Sequence, residues 1–227
     1  MNTQRFDFTD FTRIRIERAL SIDVLRADSY SVTIGDDFSR IRIEKIGDTL
    51  CIERRGHDWI VPFHPRPHVV ITMPLLGELT LGGACHGKVI GFQSNSDFVL
   101  KLSGACHLEF NTMSVGNIRA EMTGASNLTG DINIAGDAGF NVSGASRMVL
   151  NGTGNSARIE LSGASQSRLS NLSLYKASVN LSGASSAQLR VSDSLDVVLN
   201  GASRLEYIGS PIIGKIQVAG ASAINHR

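Results

Sequence analysis

The sequence predicts an all-β protein: a right-handed parallel β-helix, a solenoid of repeats about 20 residues long, closed at its N-terminal end by strands and a hairpin. Three observations carry this prediction. The tripeptide Gly-Ala-Ser/Cys occurs eight times, with its glycines at Gly83, Gly104, Gly124, Gly144, Gly163, Gly183, Gly201 and Gly220, spaced 21, 20, 20, 19, 20, 18 and 19 residues apart. The residues two and four before each glycine are apolar in all eight copies, and the one between them is polar in seven, as in Ile159-Glu160-Leu161. That is period two, the mark of a strand with one buried face; a helix would repeat at three and four. Finally, the chain is rich in glycine, 23 residues, and poor in aromatics, 6%, which suits tightly turning β structure packed with small side chains.

Residues 1–76 precede the repeats. They hold 11 basic and 12 acidic side chains up to residue 80, against 11 and 9 in the much longer remainder, so their surface is more highly charged. Alternating runs at Tyr30–Ile34, Ile41–Glu44, Leu50–Glu53 and Val69–Met73 read as strands. Gly47-Asp48 reads as a hairpin turn, and Asp36-Asp37 as a second turn. These strands are expected to cover the open end of the solenoid, where a free edge would invite aggregation. The segment Ile14 to Val24 fits the repeat template itself, with Arg18 in the glycine slot. Residues 1–227 are therefore expected to form one continuous body, 1–76 as N-terminal strands and cap and 77–227 as the eight repeats.

Between Arg54 and His68 the alternation breaks, in RRGHDWIVPFHPRPH. The stretch carries the only Trp, three His, three Arg and three Pro. Proline stiffens it and forbids central-strand pairing. A stiff, basic, aromatic loop is a binding-surface candidate, through Arg54, Arg55, His57, Trp59, His64, Arg66 and His68; the alternative is a connection whose Trp59 and Phe63 pack on the body. His57, Asp58, His64 and His68 match no established metal-ligand spacing, so no metal and no cofactor are expected.

From 77 onward each repeat offers about three short strands, and stacked units bury the face that no single unit can. Eight copies give seven steps of about 4.8 Å, a rod of roughly 34 Å. Gly permits positive φ at a corner and close approach of neighbouring coils. Ala in every copy suggests that a larger side chain overpacks there. The Ser/Cys position faces inward if the strand runs straight and outward if the glycine bends it; Leu20, in that slot of the first segment, favours inward. The motif serines read as architecture, since a nucleophile needs a base beside it. Cys85 and Cys106 fall one coil apart in the serine slot, each followed by a His. A small-residue ladder, a disulfide and a zinc site are the three readings of that pair.

A net charge of +1 argues against nucleic acid as a partner. No apolar run approaches the length of a membrane span, and the charged start MNTQRFDF lacks the apolar stretch of a signal peptide. Acidic residues are sparse in the repeats. Glu121 and Glu160 share a slot two coils apart, roughly 10 Å by the coil rise, and are the nearest thing to a paired-carboxylate site.

The LSGAS units, as in Leu161–Ser165 and Leu181–Ser185, together with Val70-Ile71-Thr72-Met73-Pro74 leading to Leu79-Thr80-Leu81, resemble the putative auto-transporter adhesin, head GIN domain family. The resemblance spans almost the whole chain. It departs at Arg18-Ala19, where the family has Gly-Ala. It implies a β-helical fold, a bacterial cell-envelope or extracellular location and no catalytic residues; the sequence shows no export signal of its own, which leaves the cytoplasm open. Three functions follow as alternatives: a non-enzymatic surface module, an adhesin or scaffold binding a glycan or protein partner; a polysaccharide-active enzyme by analogy of fold; or a protein that assembles end to end.

Overall fold

The computed structural model describes residues 3–35, 40–55 and 67–227. Strand makes up 69% of the described residues, no helix is present among them, and the stacked parallel coils form a β-solenoid of about 7 turns. The N-terminal strands are β1 (Thr3–Phe6), β2 (Arg13–Glu17), β3 (Ser21–Arg26), β4 (Ser31–Gly35), β5 (Ile41–Ile46), β6 (Thr49–Arg54) and β7 (His68–Met73). The repeats supply β8 (Glu78–Gly82), β9 (His86–Ile90), β10 (Phe98–Leu102), β11 (His107–Val115), β12 (Ile118–Met122), β13 (Asn127–Val142), β14 (Arg147–Leu161), β15 (Gln166–Leu181), β16 (Ser186–Leu199), β17 (Arg204–Ile208), β18 (Ile212–Val218) and β19 (Ala223–His226).

Successive repeats pair in parallel and in register: Leu100 lies beside Leu79, Ala120 beside Leu100, Phe140 beside Ala120, Ile159 beside Phe140. Inward side chains thus stack in columns. The buried core runs from Phe11 to Leu205, with Phe98, Phe110 and Phe140 as its largest members.

The stacking order departs from chain order at one place. β2 pairs in parallel with both β6 and β8, and β3 with both β7 and β9. Residues 13–26 are therefore a full coil of the solenoid, inserted between the coil of β6 and β7 and the first repeat. Only the strands beyond that coil act as a cap. β5 pairs antiparallel with β6 across Gly47-Asp48, where Gly47 has φ 61°. β4 pairs antiparallel with β7, and β1 with β4. Antiparallel strands end the parallel stack and leave no further parallel register to extend.

The motif makes the corner. All eight motif glycines have φ between 73° and 85°, the left-handed region that other residues reach only with strain. From Gly104 onward, a Cβ on each would lie 2.3–2.6 Å from the carbonyl oxygen of the motif glycine one coil back. That carbonyl accepts a hydrogen bond from the alanine N–H of the next coil, as in Ala145 N to Gly124 O at 2.7 Å and Ala164 N to Gly144 O at 2.7 Å. Arg18 takes the same conformation at φ 70°, and Ala19 follows at φ 60°. The Arg18 guanidinium Nη1 donates to Arg54 O at 3.3 Å.

The serine slot faces inward. Ser126, Ser146, Ser165, Ser185 and Ser203 are buried, as are Cys85 and Cys106. Their satisfaction comes from main-chain carbonyls rather than mainly from one another: Ser165 Oγ donates to Ser162 O at 2.8 Å and Ser203 Oγ to Asn200 O at 2.8 Å, three residues back. The alanine slot is otherwise than expected. Ala105, Ala125, Ala145, Ala164, Ala184, Ala202 and Ala221 are exposed on the outside of the corner, so overpacking does not explain them, and the structure supplies no steric reason for alanine there.

Candidate binding surfaces

The 54–68 segment joins β6, which ends at Arg54, to β7, which begins at His68, and these strands pair with the β2 and β3 that flank Arg18-Ala19. His57, Trp59, His64 and Arg66 lie outside the described residues. Arg54 is 3% exposed, with Nε and Nη2 unpartnered among the described residues. Arg55 is on the surface, its N–H bonded to Arg40 O at 2.6 Å. His68 is half-exposed between Asp23 (Nε2 to Oδ2 3.2 Å) and Ser21 (Nδ1 to Oγ 3.3 Å).

The β3–β7 register creates this Ser21, His68 and Asp23 contact from residues more than 40 apart in sequence, and no local signal could have shown it. Acyl transfer needs N–H donors for a developing oxyanion, and β3 is paired along both edges, so its main-chain donors are spent on the ladders.

His86 and His107 stack one coil apart at 5.9 Å between ring centroids, and His107 Nδ1 lies 3.1 Å from Asn127 Nδ2. Among the described residues, no group of three or more His, Cys, Asp or Glu is placed to hold a metal. Cys85 and Cys106 are free thiols, so the disulfide reading does not hold. Each donates to the carbonyl three residues back, Cys85 Sγ to Gly82 O and Cys106 Sγ to Ser103 O, both at 3.2 Å. Each thiol has one proton, so Cys85 can donate either to Gly82 O or to the Cys106 sulfur; the second hydrogen bond pushes the Cys85 thiol up, with burial adding to the rise. The same bond holds the Cys106 thiol down, against the burial that raises it. Both sulfurs sit inside the coil.

Glu121, Asn141 and Glu160 are in register on successive coils. Each glutamate accepts from an arginine on its own strand, Glu121 Oε1 from Arg119 Nε at 2.9 Å and Glu160 Oε1 from Arg158 Nε at 2.7 Å. Asn141 separates the two carboxylates, and each is committed to its own ion pair. Other outward columns form polar ladders between coils: Asn117 Nδ2 donates to Asp97 Oδ1 at 2.8 Å, Asn151 Nδ2 to Asp131 Oδ1 at 2.9 Å and Thr153 Oγ1 to Asn133 Oδ1 at 3.0 Å.

A family model described as putative auto-transporter adhesin, head GIN domain, matches residues 10–211. The chain belongs to this family. The matched span takes in the out-of-order coil, the antiparallel strands β4 and β5 and all but the last coil. Solved structures agree on the fold. A putative adhesin from Parabacteroides distasonis superposes with a TM-score of 0.90 at 14% identity, covering 100% of this chain and 96% of that one. A putative lipid binding protein from the same species gives 0.84 at 18% identity, with 100% and 96% covered. A putative adhesin from Parabacteroides merdae gives 0.77 at 14%, with 100% and 95% covered. At such identities the likeness is one of fold. No curated protein matches the sequence.

Proposed function

We propose that this protein is a non-enzymatic module of the bacterial cell envelope, an adhesin or ligand-binding scaffold whose rigid solenoid displays outward side chains in fixed register. The observation that carries this reading is the family match over residues 10–211 on a body whose outer faces are in-register polar ladders. Such ladders present polar groups at the coil spacing, which suits an extended partner such as a surface glycan or a protein. The 54–68 segment is the first contact surface in this reading, through Arg55 and His68 with Trp59, since aromatic and basic residues concentrate binding energy at interfaces. A lipid would have to bind from outside, because the columns from Phe11 to Leu205 fill the interior. No helix among the described residues is long and apolar enough to cross a membrane.

The test is adherence. Purified protein should bind bacterial or host cell surfaces saturably and compete with its own labelled form, and Trp59→Ala should weaken that binding. Absence of saturable binding to any surface would overturn the reading. The enzyme alternative rests on Glu121 and Glu160; turnover of an acidic glycan that vanishes in Glu121→Gln would establish it. The single-body organisation of residues 1–227 calls for one cooperative unfolding transition, the same by circular dichroism and by tryptophan fluorescence.

A further inference from the structure

The outward face that precedes the corner carries one gap. In register on successive coils stand Val99, Arg119, Gly139, Arg158 and Ser178. Gly139 is the only one without a side chain, and the backbone does not require it. Its φ is not positive, and a Cβ placed there would meet nothing nearer than Ile118 O at 3.9 Å. Gly136, three residues earlier, is different, since a Cβ there would lie 2.2 Å from Asn117 Oδ1. At Gly139 lies a cleft of about 450 Å³, walled by Arg119 and Arg158 and bordered by Asp137, Asn141 and Glu160. That size falls in the ordinary range of small-ligand sites, about 300–1,000 Å³.

The chemistry of the walls selects the ligand. Arg119 and Arg158 each spend Nε on their own glutamate, which fixes the guanidinium plane. Their Nη groups take no partner among the described residues. Asp137 Oδ1 accepts from Ser156 Oγ and Glu160 Oε1 from Arg158, which leaves each carboxylate a second oxygen. Asn141 adds an amide that both donates and accepts. Charge is nearly balanced: two guanidinium groups face the carboxylates of Asp97, Asp137 and Glu160. A polyanion would meet three carboxylates there, and a cation two guanidinium groups. A neutral polyol meets neither penalty. Its adjacent hydroxyls both donate and accept, which suits forks of Arg donors alternating with carboxylate and amide acceptors. Half-buried Val99 and the Gly139 floor accommodate the C–H face of a sugar ring.

We propose that the Gly139 cleft binds a neutral hexopyranose unit of a glycan. The proposal rests on the reading of the protein as a binding module, and it puts the carbohydrate contact on the β10–β14 face.

The experiment titrates the full chain with neutral gluco-, galacto- and manno-oligosaccharides, and separately with uronate and sulfated oligosaccharides, followed by calorimetry and amide NMR. The expected result is saturable binding of a neutral sugar with amide shifts centred on Gly139, Asn141 and Arg158. Gly139→Val should intrude on the cleft floor between the two arginines and weaken binding at least tenfold. Its thermal midpoint should stay unchanged or rise, because an open strand position accepts a β-branched side chain. Arg158→Gln should weaken binding as well. No binding of any neutral sugar, binding of the anionic panel alone, or full affinity in Gly139→Val would each overturn the proposal. Cell adherence that survives in Gly139→Val would leave the binding-module reading in place while removing this site.

Discussion

Substituting Gly163 by alanine tests the account of the corner most directly. Gly163 has φ 74°, and the added Cβ would lie 2.6 Å from Gly144 O and 3.2 Å from Gly144 N. Left-handed backbone costs a non-glycine residue about 1–2 kcal/mol. The overlap falls on main chain that cannot swing away, and relieving it stretches the Ala164 N to Gly144 O bond of 2.7 Å. Overpacking of this kind costs about 1–3 kcal/mol, and a weakened buried hydrogen bond about 0.5–1.5 kcal/mol. Against these, alanine restricts the unfolded chain and returns about 0.4–1 kcal/mol. The net expectation is about 2–5 kcal/mol of destabilisation. Two controls separate the causes. Gly47 has φ 61° but nothing within 4 Å of its Cβ, so Gly47→Ala carries the conformational cost alone, about 1 kcal/mol. Gly139→Ala carries neither cost and should be neutral or slightly stabilising. Urea denaturation at equilibrium, with midpoint and slope fitted for each variant, provides the ranking. A Gly163→Ala midpoint equal to that of Gly47→Ala would show that the stacked carbonyl exerts no steric demand.

Ser165→Ala should cost about 1–2 kcal/mol, by removing the hydroxyl that Ser162 O and Gly144 O accept inside the coil; a change within error in urea titration would refute that role. Cys106→Ser should be close to neutral in the same assay, since serine fills this slot in the later coils, and a loss of several kcal/mol would mean that the thiol packs in a way the serines do not. Ala164→Leu should change stability by less than about 0.5 kcal/mol because its side chain is exposed; a large loss would restore overpacking as the explanation. The Tyr175 phenol donates to Asp193, and ionising it would set two anions side by side, so its pKa is raised. NMR titration of the Tyr175 ring should show a midpoint that falls in Asp193→Asn, and an unmoved midpoint would refute the contact.

The repeats were legible because two independent signals coincide. Period-two apolarity placed Leu161, Leu181 and Leu199 on the inner face, and the recurring glycine marked the corner. Leu20 pointed the serine slot inward, and the structure agrees. The insertion of residues 13–26 between the coil of β6 and β7 and the first repeat was not legible. The template match showed that Ile14 to Val24 is a coil; parallel pairing across 36 and 65 residues leaves no local trace of which coil it touches. The alanines misled because a residue held small in every copy looks like a packing constraint, yet the turn at glycine carries that position outside. Gly139 did leave a trace that the reading passed over: a glycine inside a strand, without a turn to make, marks a bend or a close approach. Its flanking arginines, Arg119 and Arg158, are ordinary surface residues until the register sets them on either side of that gap.

The out-of-order coil decides how the molecule bears load. In a solenoid stacked strictly in chain order, tension on the first residues peels the terminal coil away one hydrogen bond at a time. Here tension applied from the N-terminal side reaches β2 and β3, and each is held along both edges, by β6 and β8 and by β7 and β9. To leave, that coil must slide between two neighbours and break its ladders together rather than in turn. The terminal coil of β6 and β7 and the first repeat then act as the jaws of a clamp. Tension from the opposite side finds no such lock, because β18 and β19 each pair along one edge only. The rod is mechanically polar: it resists from one end and unzips from the other.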